Sequence, residues 1–154
     1  MPLYLPETVR VLGCSGAALS LTGTVNETTL ATITVPARAM GANGILRITT
    51  LWTYTNSVNN KTLRVDFGGT DFLSNIATTT LSTQTLTMIR NRAATNSQVG
   101  FTNATFSAIG TTTGALTTAS IDTTAEQSLT ITGQLASSGE NITLESYLVE
   151  LIIP

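Results

Sequence analysis

Ile45-Leu46-Arg47-Ile48-Thr49-Thr50-Leu51-Trp52-Thr53-Tyr54-Thr55 decides the fold class of this chain. Leu46, Ile48, Trp52 and Tyr54 share one face of an extended strand, while Arg47, Thr49 and Thr53 share the other. Such a two-residue period marks a strand with one face in a core and the other turned outward. Before it, Gly41-Ala42-Asn43-Gly44 is a turn signal. After it, Asn56-Ser57-Val58-Asn59-Asn60 reads as a loop, and then Leu63, Val65 and Phe67 alternate with Thr62, Arg64 and Asp66. The two alternating runs are expected to pair as a hairpin. Gly68-Gly69 makes the next turn.

Further out the same texture holds, with short β-rich runs broken by Gly, Asn and Ser. Strands are expected over residues 8–12, 18–21, 30–35, 79–92, 98–106, 117–123 and 128–135, and a last one over 142–153. Pro36 stops the run that precedes it. Helical periodicity is almost absent. The expected fold is all-β, a jelly-roll-like antiparallel β-sandwich of two four-stranded sheets. An immunoglobulin-like sandwich fits less well, because the Cys-Trp-Cys pattern is missing. Residues 1–7, Met-Pro-Leu-Tyr-Leu-Pro-Glu, form an expected extended arm, since two prolines block helix and central strand alike. Residues 8–154 then make a single sandwich domain.

The last strand carries an additional expectation. Ile142, Leu144, Leu148 and Ile152 make one face, broken by Ser146 and Glu150. Tyr147, Val149, Leu151 and Ile153 make the other. A strand apolar on both sides is normally covered on both sides. Tyr147, Val149, Leu151 and Ile153 are therefore expected to form a homo-oligomer interface. Composition agrees: only 10% of the 154 residues are charged, against about 25% in an ordinary soluble domain. Thr fills much of the gap, and the mean hydropathy is +0.25.

Other partners and chemistries are argued against residue by residue. The net charge is −2, Lys61 is the only lysine and the six arginines are scattered, so no stripe exists to neutralise a nucleic acid backbone or to favour an anionic membrane. No apolar run approaches the ~20 residues of a transmembrane helix. The absence of histidine removes Ser-His-Asp and Cys-His systems and histidine metal sites. Cys14, the single cysteine, lacks a base and reads as a small buried apolar residue. Asp66 and Asp71 flank Phe67-Gly68-Gly69-Thr70, and their expected work is to shape a tight turn rather than to act as a glycosidase pair. No catalytic, cofactor or metal residue is expected, and the protein is not expected to be an enzyme.

Three segments together carry a family resemblance: Gly41 through Ile48, then Leu51-Trp52-Thr53-Tyr54-Thr55-Asn56-Ser57, then Asn60-Lys61-Thr62-Leu63-Arg64-Val65 with Phe67-Gly68-Gly69-Thr70. This texture resembles small virion proteins of tailed bacteriophages. The resemblance implies a jelly-roll-like trimer located in the virion, used as a capsid decoration (cement) protein or as a domain of a tail fibre or spike. No catalytic residue is implied. The start at Met1 leads us to expect a complete small protein, which favours decoration over a fibre domain. The arm favours it too, with Leu3, Tyr4 and Leu5 as the expected tether to the major capsid protein. The alternative is a tail fibre or spike receptor binder for host surface glycans.

Overall fold

The computed structural model describes residues 8–101 and 114–154, and these carry eleven strands and no helix. They run in chain order β1 Val9–Ser15, β2 Leu19–Thr22, β3 Thr28–Val35, β4 Ile45–Tyr54, β5 Lys61–Phe67, β6 Thr70–Ala77, β7 Ser82–Asn91, β8 Gln98–Gly100, β9 Thr117–Ala119, β10 Gln127–Leu135 and β11 Asn141–Ile152. Every paired strand is antiparallel. The protein is an all-β sandwich.

Seven strands form one sheet, in the order β1-β11-β4-β7-β8-β9, with β2 continuing the β1 edge alongside β11. Four form the other, in the order β3-β10-β5-β6. The division is thus seven and four rather than four and four. The core lies between, with Leu46, Ile48 and Trp52 of β4 on one side and Leu63, Val65, Leu129 and Ile131 of β5 and β10 on the other. The alternation of 45–55 is realised as read, since Leu46, Ile48, Trp52 and Tyr54 are buried.

The expected hairpin between the two alternating runs does not form. β4 pairs with β11 and β7, whereas β5 pairs with β10 and β6, so residues 56–60 cross from sheet to sheet. The hairpin partner of β5 is β6, a strand absent from the expected set. Its turn explains the choice. Gly68 and Gly69 have φ of +56° and +85°, the left-handed pair that a two-residue hairpin loop demands and that matches strand twist. The Asn56–Asn60 stretch has no such glycine pair, and its length suits a crossing.

Candidate functional site

The face that sequence reading assigned to subunit contact lies mostly inside the chain. Val149 and Leu151 are 0% exposed in the core, and Tyr147 packs against it. Ile153 follows the strand and is partly exposed, its N–H bonded to Thr8 O at 2.8 Å. The cause is a β-bulge. Leu144 pairs with Trp52 and Ser146 with Leu51, leaving Glu145 as an extra residue in β11. One extra residue reverses the alternation beyond it. Ile142 and Leu144 before the bulge and Tyr147, Val149 and Leu151 after it therefore share the inner face. Those five residues belong to one face with a phase slip, and Leu148 and Ile152 are the apolar residues left on the other. Val149 and Leu151 are not surface residues, which corrects the expectation for them. Thr53 Oγ1 donates to the Glu145 carboxylate and so anchors the bulged residue.

The outer face is the complementary set. The register places Ile152 beside Ile45 and Val9, Glu150 beside Arg47 and Val11, Leu148 beside Thr49, and Thr49 beside Leu86. Val9, Val11, Leu51 and Leu86 are 41, 53, 40 and 47% exposed. Leu148, Ile45 and Ile152 add half-buried surface between them. One ion pair sits within this field: Arg47 Nε donates to Glu150 Oε2 at 2.7 Å. That hydrogen bond holds the Glu150 carboxyl below its ordinary value and raises the Arg47 guanidinium. The arrangement is a largely apolar sheet face in which Arg47 and Glu150 pair with each other, while Arg90, beside Ile45, makes no ion pair among the described residues.

Cys14 lies opposite Leu148 on β1 and is exposed, not buried as its type suggested. Leu3, Tyr4 and Leu5, the expected tether, lie outside the described residues. Leu51 and Leu86 were missed. Leu51 stands with Ile45 on the side of the 45–55 run that Arg47, Thr49 and Thr53 occupy, the one visible signal.

The register sets Asp66 and Asp71 opposite each other, as the turn reading required. Asp66 Oδ1 accepts the Gly69 N–H at 3.0 Å, closing the turn. Arg64 lies 3.5 Å from Asp71 and 3.0 Å from Glu27. Burial pushes the Asp71 carboxyl up, against the pull of Arg64. Among the described residues, no cluster of three or more metal-ligating side chains forms.

A second charged group lies at the sandwich end. Lys61 is fully buried, its Nζ donating to Ser57 Oγ at 2.9 Å and lying 3.9 Å from Glu140 Oε2. Asn59 Nδ2 donates to Glu140 Oε1 at 2.9 Å. The Ser57 hydroxyl and the Asn59 amide hold the Glu140 carboxyl below its ordinary value, with Lys61 adding to the effect. These bonds pin the crossing loop to the start of β11, a structural task.

No protein-family model matches the sequence, and no curated protein matches it. Among solved structures, the chain is similar to the CBM2 module of the evolved Dit of Lactobacillus casei BL23 phage J-1, at 10% identity and TM-score 0.37, covering 80% of this chain and 70% of that one. Lectin II from Ulex europaeus is similar at 13% identity and TM-score 0.41, covering 96% and 94%. The infectious bursal disease virus VP2 subviral particle is similar at 13% identity and TM-score 0.37, covering 96% of this chain and 33% of that one. None of the three transfers a residue or an activity to this chain.

Proposed function

We propose that this protein is a non-enzymatic virion structural protein, a decoration (cement) protein that binds the head shell of a tailed bacteriophage as a homotrimer. The observation that carries the reading is the apolar outer face of the seven-stranded sheet. Val9, Val11, Leu51 and Leu86 stand on it with large exposed fractions, and Arg47 and Glu150 within it neutralise each other. Copies of the chain cover this face in one another, replacing the interface expected at Val149 and Leu151. Attachment to the shell falls to the arm, with Leu3, Tyr4 and Leu5 docking on the major capsid protein. Pro2 and Pro6 preset an extended backbone and lower the entropy lost on docking. Several arms engaging one symmetric lattice multiply weak individual contacts.

Co-sedimentation with undecorated heads tests the proposal. The full chain is expected to pellet with heads, whereas a chain lacking residues 2–7 stays folded and oligomeric but remains in the supernatant. Failure of the full chain to bind heads, or undiminished binding without the arm, would overturn it.

A further inference from the structure

One corner of the sandwich stays open where residues 78–81 carry the chain from β6 to β7, and so from one sheet to the other. A cleft of about 300 Å³ lies there, lined by Tyr54, Asn75, Thr78, Thr80, Ser82 and Thr83, with Ile76 and Ala77 as its apolar wall. That volume is at the lower end of the range for small-molecule sites. Its frame is fixed: Tyr54 Oη and Thr80 Oγ1 are 2.8 Å apart, and Tyr54 N–H donates to Leu81 O at 3.0 Å.

Asn75 is the informative residue. It pairs with Leu63 across the β5–β6 ladder, so it points toward the interior, and it is only 8% exposed. Its side-chain amide nevertheless has no hydrogen-bond partner among the described residues. An amide offers two donors and an acceptor; the buried side-chain atoms without a hydrogen-bond partner among the described residues are Thr87 Oγ1 and Glu140 Oε2, so the Asn75 amide keeps access to solvent through the cleft. Here the amide lines a cleft with hydroxyls around it, and no charged side chain lines that cleft. A neutral ligand rich in hydroxyls, with an apolar face to lay on Ile76 and Ala77, meets every feature.

We propose that this cleft binds a neutral pyranose unit of a polysaccharide, with the Asn75 amide bridging two adjacent hydroxyls. The proposal does not rest on the virion reading, since a sugar site is compatible with a head or a tail location.

The test is a titration of the ¹⁵N-labelled protein with the methyl glycosides of glucose, galactose, N-acetylglucosamine and rhamnose, and with glycerol as a small-polyol control. At least one glycoside is expected to give saturable amide shifts at Tyr54 and residues 75–83 in the millimolar range, with none from glycerol. Asn75→Leu removes the amide while filling its space; it should leave the remaining spectrum intact and weaken binding by roughly fivefold or more. Ser82→Ala, at an exposed rim position, gives a second reading that does not depend on the core, with binding weakened by a smaller factor. Saturable shifts from none of the four glycosides would overturn the proposal, showing that the cleft holds only water. So would shifts confined to other residues, or unchanged affinity in both variants.

Discussion

Trp52 Nε1 donates to Thr50 Oγ1 at 2.6 Å, and Thr50 Oγ1 lies 2.5 Å from Thr85 Oγ1, all within the buried core. These two bonds show how a threonine-rich sequence can place hydroxyls in its interior: Thr50 and Thr85 satisfy each other and the indole, whereas Thr87 Oγ1 is buried without a partner. Thr50→Val keeps the shape but leaves the indole N–H and the Thr85 hydroxyl unmet. It should lower the unfolding free energy by about 1–3 kcal/mol, read as a lower denaturant midpoint by Trp52 fluorescence. Glu140 acts through its charge. Its carboxyl is held below the ordinary value of 4.5, so the stability it confers is present above that value. It is lost as pH falls from there through the lower folded value, because the unfolded chain binds the proton first. Unfolding curves taken down the acid limb should therefore show a smaller loss in Glu140→Gln than in the parent. An equal loss in both would place the acid sensitivity elsewhere. Leaving Lys61 buried with a neutral neighbour should also make that variant less stable at neutral pH.

At the scale of elements, β4 and β11 teach opposite lessons. The inner face of β4 was legible because its alternation runs unbroken from Leu46 to Tyr54. That of β11 was not, because period-two reading assumes constant phase and the bulge at Glu145 shifts it by one residue. The same residues, split into two apolar faces, suggested an interface where the chain has a core. Pairing was less legible than alternation. A hairpin between 45–55 and 61–67 is the shortest connection, but ladder partners are chosen by long-range packing that no local pattern encodes. The Asn75 cleft had no sequence signal at all, since it arises from the crossing of two sheets. A pair of substitutions separates the two faces of the seven-stranded sheet. Val149→Asp buries an unpaired charge, which costs more than a domain of this size can spare, and should give an unfolded or insoluble chain. Leu51→Asp, on the outer face, should leave the circular dichroism spectrum and melting unchanged within about 0.5 kcal/mol while dissociating the assembly. Assembly that survives Leu51→Asp and Leu86→Asp together would remove the outer face from the interface. Gly68→Ala probes the β5–β6 turn. With φ at +56° and an added Cβ only 2.7 Å from Ile121, it should lower the melting temperature markedly.

The whole molecule is a nearly neutral, threonine-rich sandwich with an apolar outer face on its seven-stranded sheet, and the proposed structural role predicts that this face is covered. In that proposed role the outer face is assigned to other copies of the chain and residues 1–7 to the shell. Light scattering of the purified chain should give about three chain masses, the closed cyclic assembly expected of a homo-oligomer, and Cys14 should react with a thiol reagent in the dissociated variant more readily than in the parent. Location decides between the functional readings most directly. Cryo-electron microscopy of the intact particle, with the chain placed in the density, should show three-fold clusters of this sandwich at regular positions over the head shell; copies confined to the tail tip, or density for the chain nowhere on the particle, would contradict the account.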